Sequence, residues 1–258
     1  MPLLELEGIT KRFRGVTAVD GLDLRVHRGE MVSLIGPNGA GKSTSFNCLS
    51  GLIQPDAGRV SYDGQDLLAL APHQRALAGL GRTFQTVQLF GDLTVWENLT
   101  VAAQSRGSVG MLGHMLGLGR VETRRFRERA RVIAQFVGIG DVLERPARVL
   151  PLRQQRLCEL ARALCLEPQL LLLDEPASGM DAAETDEFAR LLLRIRKSFR
   201  LSMLYVEHDM RLVMAVSDYI YVLDFGRLIA EGKPEDVRSN PAVIAAYLGE
   251  STGAAATG

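Results

Sequence analysis

Apolar and polar positions along the chain change their period several times, and these changes predict the order of the secondary structure. Short β-rich runs open the chain, in LLELEGI, GLDLRV and MVSLIG, and the helical stretch GKSTSFNCLSG follows the last of them. A buried strand that leads directly into a helix is typical of an α/β core. The first part of the chain therefore predicts a layered α/β structure.

The pattern becomes helical from Asp92 and stays mostly helical through Glu167. The segment DLTVWENLTVAA contains a capping box, in which Glu97 follows Thr94 by three residues, and this arrangement predicts a helix start. The Gly-rich stretch SRGSVGMLGHMLGLGR within this region predicts a flexible insert. A further helix is predicted from Gln154 to Leu164, with Pro151 in its first turn.

Strand and helix signals alternate again after this region. They comprise the strand QLLLLD, an amphipathic helix from about Ala182 to Phe199, the strand LSMLYVE, the helix MRLVMAVS and the hairpin YIYVLDFGRLIAEG. We therefore expect one domain over residues 1–258, with a core of 1–91 and 167–248 and an inserted helical subdomain over 92–166. The small and polar residues 249–258 predict a flexible tail.

Composition narrows the classes of function. The 30 basic and 30 acidic residues cancel, so no overall charge favours a nucleic acid as partner. Cys48, Cys158 and Cys165 are odd in number and lack metal-ligand spacing, which argues against disulfides and zinc and favours a reducing compartment. The N-terminus does not resemble a signal peptide, and the apolar run 109–119 is too short to span a bilayer. We expect a protein that is soluble or peripheral to a membrane.

The stretch GPNGAGKST follows an apolar strand and leads into a helix, which is the context of a phosphate-binding loop. Its glycines allow backbone N–H groups to point at phosphate oxygens, and the helix start adds a positive dipole end. Lys42 is expected to reach the β and γ phosphates, and the Ser43 hydroxyl to bind Mg²⁺. The alternative, a Gly-rich turn with an incidental Lys-Ser pair, is disfavoured because loop, strand and helix signals agree. The predicted nucleotide-binding residues are Gly36, Pro37, Asn38, Gly39, Ala40, Gly41, Lys42, Ser43 and Thr44.

Two adjacent carboxylates end the apolar run QLLLLDEP. Asp174 is suited to hold Mg²⁺, while Glu175 is suited to orient or deprotonate an attacking water. An Asp-Glu pair at the end of a strand has no specific meaning when it stands alone. In a chain that also carries a phosphate loop, the pair favours a site for hydrolysis of a nucleotide.

The segments GPNGAGKST, TFQ around Gln85, QQRLCELARAL, LLLLDEP, SGMD and VEHD together resemble, in order and spacing, the ATP-binding subunits of ABC transporters. The segments RTFQTVQLFGDLTVWENLTVAA, VEHDMRLVMAVSD and GRLIAEGKPEDVRSNPAVIAAYLGE, together with the Gly-rich insert, look most like the ATPases of branched-chain amino acid importers. Related importers of urea or amides share much of this pattern, so the resemblance implies import of branched-chain amino acids or of a related small solute. The resemblance implies an ATPase that uses ATP and Mg²⁺. It also implies an α/β P-loop NTPase fold, with a RecA-like core, an N-terminal antiparallel β subdomain and an inserted helical subdomain.

The resemblance assigns roles to further residues. Phe13 would stack on adenine, although an isolated Phe in this context is as well explained by a core position. Gln85 would bind Mg²⁺ and water and respond to the membrane partner. The segment from Ser178 to Asp181 would form the loop that crosses the dimer. His208 would contact the γ-phosphate and the water.

One segment departs from the family pattern. The consensus Leu-Ser-Gly-Gly-Gln caps the γ-phosphate held by the opposing subunit, but here Pro151, Leu152 and Arg153 follow Leu150 and precede Gln154. Pro151 offers neither a hydroxyl nor an N–H group. Leu152 and Arg153 place side chains where glycine lets the backbone approach phosphate. We therefore expect this segment to cap phosphate weakly, while the helix behind it forms normally.

The resemblance also implies partners. A second ABC ATPase with an intact signature would complete the site on this chain, so a heterodimer is favoured over a homodimer, and a transmembrane permease and indirectly a solute-binding protein would complete the importer. The predicted location is the cytoplasmic face of the cell membrane. The alternative is a non-transport or regulatory ABC ATPase that binds ATP with little hydrolysis because of its divergent signature.

Overall fold

The computed structural model describes residues 1–104 and 118–253, which form two compact units. The first unit comprises Met1–Arg75 and Leu170–Gly258, and the second comprises Ala76–Gln169. The predicted helical segment 92–166 lies within the second unit.

The described elements follow one another along the chain as alternating groups of strands and helices. The strands are β1 (Leu4–Phe13), β2 (Val16–Val26), β3 (Met31–Ile35), β4 (Ala57–Tyr62), β5 (Gln65–Asp66), β6 (Leu80–Arg82), β7 (Leu170–Asp174), β8 (Ser202–Val206), β9 (Tyr219–Asp224) and β10 (Arg227–Gly232). The helices are α1 (Lys42–Ser50), α2 (Pro72–Leu77), α3 (Val95–Gln104), α4 (Leu118–Val137), α5 (Leu152–Cys165), α6 (Ala182–Phe199), α7 (Met210–Val216), α8 (Pro234–Arg238) and α9 (Pro241–Gly253).

An antiparallel sheet of the first unit has the strand order β2-β1-β4-β5. Leu4 pairs with Val26 on one side and with Tyr62 on the other, so β1 is central in this sheet. Apolar side chains of β1 and β2 alternate with exposed ones along much of their length, as expected for strands with one buried face. This sheet is the N-terminal antiparallel β subdomain that the family resemblance implies.

Five strands of the first unit belong to a second sheet, in the order β10-β9-β3-β8-β7. Strand β3 runs parallel to both β8 and β9, β7 runs parallel to β8, and β10 returns antiparallel to β9. All residues of β3, β7 and β8 are buried, which explains their uninterrupted apolar runs. The carboxyl ends of these three adjacent parallel strands meet at one edge of the sheet.

The second unit is built mainly from α3, α4 and α5, which pack against one another. The predicted capping box is present, since the Thr94 N–H donates to Glu97 Oε2 at 2.8 Å and the Glu97 N–H donates to Thr94 Oγ1 at 3.1 Å. The buried Asn98 side chain accepts from the Phe90 N–H and donates to carbonyls of Phe90 and Thr94. These contacts join the start of α3 to the chain that precedes it.

The structure corrects two predicted boundaries. Helix α5 begins at Leu152 rather than Gln154, and Pro151 is its N-cap with extended ψ of 150° instead of a first-turn residue. Helix α9 continues to Gly253, so residues 249–253 are helical and the predicted tail began too early. Most of the predicted Gly-rich insert, residues 105–117, and the end of the tail, 254–258, lie outside the described residues.

The three cysteines are free and buried, as the sequence predicts. Burial raises the pKa of Cys158 and of Cys165 to about 12, because an apolar environment disfavours a thiolate. These thiols are therefore packing residues of the helical unit rather than reactive groups.

Candidate active site

The predicted hydrolytic residues of the first unit gather at the carboxyl edge of the parallel sheet. Strand β3 leads into the phosphate loop 36–44, β7 ends at Asp174, and β8 leads into the segment that carries His208. Because β3, β8 and β7 are neighbours in the sheet, these three connections lie side by side. Ligands of open α/β sheets commonly bind at this edge.

The phosphate loop has the conformation that its glycines permit. Gly36, Gly39 and Gly41 all have positive φ angles, of 148°, 79° and 99°. A Cβ at Gly36 would lie 2.0 Å from the Leu223 carbonyl oxygen, and one at Gly41 would lie 2.2 Å from the Ala18 carbonyl oxygen. A side chain at either position would displace the backbone of an adjacent strand.

Lys42 is the first residue of α1 and its ammonium group is held within the loop. Its Nζ donates to the Gly36 carbonyl at 2.6 Å and to the Pro37 carbonyl at 2.8 Å, and the residue is buried. Ser43 follows in the first turn of α1 with its side chain exposed. The loop therefore combines a buried cation, a helix N-terminus and an accessible hydroxyl, which are the groups that hold a polyphosphate and its metal.

The two predicted carboxylates differ in burial and backbone geometry. Asp174 is buried at the end of β7, whereas Glu175 is half-buried and has a left-handed φ of 46°. The Glu175 N–H donates to the Val206 carbonyl at 2.9 Å, which continues the ladder between β7 and β8 past the last strand residue. Successive residues of a regular strand point to opposite faces of the sheet. Because the backbone turns at Glu175, the side chains of Asp174 and Glu175 can both contribute to one site.

His208 lies next to Glu175. The distance from His208 Nδ1 to Glu175 Oε2 is 3.9 Å, and the imidazole is 60% exposed. A carboxylate suited to take a proton and an accessible imidazole thus face the same space. The contact brings together the two residues that the sequence and the family resemblance associate with the attacking water.

Glu207 is a residue of this region that the sequence argument did not single out. It is 1% exposed, and its carboxylate accepts hydrogen bonds from the N–H groups of Ala177 at 2.9 Å and of His208 at 3.2 Å. Burial raises the pKa of Glu207, because desolvation disfavours the charged form. The sequence VEHD could have indicated this residue, because an acidic side chain directly after a buried strand requires hydrogen-bond donors or opposite charges.

The predicted dimer loop, Ser178 to Asp181, begins three residues after Glu175. The Ser178 N–H donates to the Glu175 carbonyl at 3.2 Å, so the loop turns back on the strand end. Asp181 is the N-cap of α6 and forms a capping box with Glu184, with both reciprocal hydrogen bonds present. Ser178 and Asp181 are therefore positioned by the strand end on one side and by the helix start on the other.

Phe13 lies at the end of β1 with 43% of its surface exposed, so a core position does not explain it. The Lys11 ammonium lies 5.4 Å from the centroid of its ring. An exposed aromatic face is available for stacking on a planar base.

Gln85 and the divergent signature belong to the second unit. Gln85 is exposed in the segment 83–90, which lies outside helices and strands. Pro151, Leu152 and Arg153 are exposed at the start of α5, and Gln154 is half-buried. The Pro151 side chain makes no capping hydrogen bond, so the first turn of α5 lacks the side-chain acceptor that a serine would provide.

The residues at the sheet edge fit a nucleotide with Mg²⁺. A Cβ at Gly39 would meet no atom within 4 Å, so the loop is open on that side, and the buried Lys42 supplies a positive charge. The Ser43 hydroxyl and the Asp174 carboxylate are oxygen ligands, which Mg²⁺ prefers. Within residues 1–104 and 118–253, no cluster of three or more His, Cys, Asp or Glu side chains is arranged to hold a metal by itself.

Comparison with protein families gives two matches. The ABC transporter family matches residues 19–178, and the branched-chain amino acid ATP-binding cassette transporter family matches residues 227–252.

Among curated proteins, the chain is 42% identical over 257 residues to the high-affinity branched-chain amino acid transport ATP-binding protein BraF of Pseudomonas aeruginosa, and 42% identical over 257 residues to LivG of Escherichia coli. Each alignment covers 97% of this chain and 99% of the relative.

Among solved structures, a nucleotide-free ATP-binding cassette from an ABC transporter superposes with a TM-score of 0.83 at 31% identity, covering 96% of this chain and 99% of that one. The ADP conformation of an ATP-binding cassette superposes with a TM-score of 0.83 at 30% identity, with the same coverage.

Proposed function

The chain belongs to the ABC transporter family of ATP-binding proteins, and we propose that it powers an importer of branched-chain amino acids. As a member of this family it is an ATPase whose hydrolysis drives a membrane transporter. The proposed solute rests on two similarities, the match of residues 227–252 and the 42% identity to proteins named for branched-chain amino acid transport. The comparisons give no support for the non-transport alternative.

One geometric observation is the main support for the proposed active site. Glu175 and His208 lie 3.9 Å apart at the ends of the adjacent parallel strands β7 and β8, beside the strand that leads into the phosphate loop. This arrangement supports a site in which a base and an imidazole act on a terminal phosphate held by the loop.

We assign the following roles to residues of the first unit. Bound ATP would supply the phosphoanhydride bond, and Mg²⁺ would neutralise charge on its phosphate oxygens. Loop N–H groups and Lys42 would hold the phosphates, while Ser43 and Asp174 would hold the metal. Glu175 accepts the proton of the attacking water, and His208 orients that water and contacts the γ-phosphate. Phe13 stacks on the adenine ring.

In the second unit we assign Gln85 as a further ligand of Mg²⁺ and water. The signature residues Pro151 to Gln154 would face the nucleotide of an opposing ATPase, and Ser178 to Asp181 of the first unit would cross that dimer. We further propose the boundaries 1–91 and 167–248 for the core and 92–166 for the helical subdomain.

The partners follow from the family. A transporter ATPase works with a permease and with a second ATPase. We propose a different ATPase with an intact signature as that partner, because Pro151 to Arg153 lack the donors of the consensus. We also propose that the chain lies at the cytoplasmic face of the membrane. A solute-binding protein would act with the permease and contact this chain only indirectly. Among the residues that the structure describes, no helix combines the length and the apolarity that crossing a bilayer requires.

The proposal is tested by ATP titration of the purified chain and by uptake in cells. Lys42→Ala should weaken ATP binding strongly, because a charge-assisted phosphate contact is lost. Lys197→Ala, which changes an exposed lysine of α6, is the matched control and should bind ATP normally. Cells without the chain should lose uptake of radiolabelled leucine, isoleucine and valine. Unchanged ATP affinity of Lys42→Ala would refute the site, and normal uptake would refute the solute.

A further inference from the structure

Glu159 is a buried carboxylate on the helix that follows the signature. It is 3% exposed and lies on α5 among the apolar residues Leu157, Cys158 and Leu160, which are also buried. A carboxylate at a buried position requires hydrogen bonds or opposite charges, because desolvation of an unpaired charge is costly. An apolar side chain would pack at this position without that cost, so packing alone does not explain a glutamate.

The partners of Glu159 come from the segment that contains Gln85. The Gln88 N–H donates to Glu159 Oε1 at 3.2 Å, and the Phe84 N–H hydrogen-bonds the same carboxylate. One donor precedes Gln85 by a single residue and the other follows it by three. The carboxylate therefore holds the backbone on both sides of Gln85.

Two arginines of the same helix offset part of the cost of the buried charge. Arg162 Nη2 lies 4.0 Å from Glu159 Oε1, and Arg156 also stabilises the carboxylate by its charge. The Arg162 guanidinium in turn lies 6.0 Å from the centroid of the Phe90 ring, at the other end of the Gln85 segment. The cluster thus contacts the segment at three positions, Phe84, Gln88 and Phe90.

The segment needs such support, because residues 83–90 lie outside helices and strands. Backbone N–H groups in regular structure are paired within the helix or the sheet, whereas those of a loop depend on side chains or water. Glu159 supplies acceptors from a helix. The position of Gln85 is then fixed by helix α5, which is rigid, rather than by the loop itself.

We propose that Glu159 is a positioning residue for Gln85, holding it where it ligates Mg²⁺ and the attacking water. This inference rests on the proposed function, in which Gln85 contacts the metal. The same helix begins with the signature residues, so Glu159 also links the Gln85 segment to the element that faces the opposing nucleotide. Its role is to fix the backbone, and it does not touch the reacting atoms.

The test compares ATP binding with and without metal in the purified full chain. Glu159→Gln should weaken binding of Mg·ATP by about 10-fold, as loss of a residue that orients a metal ligand typically does. Binding of ATP in excess EDTA should change by less than about twofold, because the loop and Lys42 are untouched. Glu144→Gln, an exposed glutamate of the same unit, should leave both affinities unchanged.

Two further variants separate positioning from general stability. Glu159→Asp keeps a carboxylate and should recover part of the Mg·ATP affinity, and it serves as the test if Glu159→Gln does not fold. In a Gln85→Ala background, Glu159→Gln should have no further effect on Mg·ATP binding, because its action passes through Gln85. Equal losses with and without metal, or additive effects of the two substitutions, would overturn the positioning role.

The outcome also distinguishes this inference from the proposed function. If Lys42→Ala and Gln85→Ala both leave Mg·ATP binding unchanged, the proposed site is wrong and the role of Glu159 is refuted with it. If both weaken binding while Glu159→Gln and Glu159→Asp bind Mg·ATP as the unsubstituted chain does, the site stands and only the role of Glu159 is refuted.

Discussion

The Ala177 N–H donates a 2.9 Å hydrogen bond to the Glu207 carboxylate, and this contact joins the two loops that follow β7 and β8. Ala177 directly precedes Ser178 of the proposed dimer loop, and Glu207 directly precedes His208. The Glu207 carboxylate also accepts from the His208 N–H at 3.2 Å. A single buried side chain therefore sets the position of the dimer loop relative to the histidine.

The stability of the protein should depend on pH through Glu207. Burial raises the pKa of its carboxyl in the folded state above the unfolded value, so the folded state binds the proton more tightly. The free energy of unfolding of the unsubstituted chain, relative to Glu207→Gln, should be largest below the ordinary glutamate pKa. It should then decrease as pH rises through the raised pKa.

The measurement is urea denaturation of both proteins over a pH series from about pH 4, just below the ordinary glutamate pKa, to about pH 8. Glu231→Gln changes an exposed glutamate of β10 and controls for global charge. A stability difference between the unsubstituted chain and Glu207→Gln that is flat across this range would contradict the prediction.

Glu175→Gln should retain ATP but lose hydrolysis. The substitution removes the proton acceptor and leaves the phosphate loop intact, so turnover in the reconstituted transporter should fall by about 10²–10⁴-fold. The ATP-bound protein should accumulate as a closed dimer, which size-exclusion chromatography detects. Glu187→Gln, on the exposed surface of α6, should hydrolyse normally. If Glu175→Gln hydrolyses ATP as fast as the unsubstituted chain, Glu175 is not the base.

Restoring the signature should raise the ATPase activity of the chain alone, where only self-pairing is available. The triple substitution Pro151→Ser, Leu152→Gly and Arg153→Gly supplies donors and space at the opposing γ-phosphate, and one well-placed donor contributes up to about 3 kcal/mol. We expect a gain of at least about 10-fold, corresponding to about 1.4 kcal/mol. The gain should be smaller in complex with an ATPase that carries an intact signature.

The single substitution Pro151→Ser is the matched control for the triple variant. Pro151 is the N-cap of α5 without a side-chain hydrogen bond, so a serine should improve the cap and stabilise the helix. It restores no glycine, so most of the gain in hydrolysis should be absent. Equal activity of the unsubstituted chain and the triple variant, with both folded, would show that the divergent segment does not limit hydrolysis.

Arg75 should be a major contributor to the stability of the first unit. It is 1% exposed, and its guanidinium donates to the carbonyls of Cys48 at 2.7 Å and Leu49 at 2.8 Å, near the end of α1, and to that of Leu70 at 2.9 Å. Burial lowers the pKa of Arg75, since desolvation disfavours the cation. The carbonyls of the helix end carry negative partial charge and offset that cost.

Arg75→Met should lower the free energy of unfolding by about 2–4 kcal/mol, because buried carbonyls lose a charged donor. Chemical denaturation followed by circular dichroism measures the effect. Arg59→Met, at an exposed position of β4, should change stability by less than about 0.5 kcal/mol. Similar stability of the two variants would show that other donors replace Arg75.

Local sequence patterns predicted much of the fold because the relevant interactions are local. The helix Ala182–Phe199 has the predicted bounds, since its capping residues and its apolar period are both written in one continuous segment. The start of α5 was misplaced by two residues, because Pro151 suits both a first turn and an N-cap and only the backbone of the folded chain distinguishes them.

The family, the phosphate loop and the strand-end carboxylates could be predicted from the sequence, because glycine spacing, a following helix and apolar strands are properties of short contiguous segments. Which distant residues meet became known from the folded structure. The contact of Glu175 with His208 depends on the pairing of β7 with β8, and the hydrogen bonds of Glu159 and Arg75 join segments far apart in the chain. A charged residue within an apolar run is visible in a sequence, but its burial and its partners are set by long-range packing that no local pattern encodes.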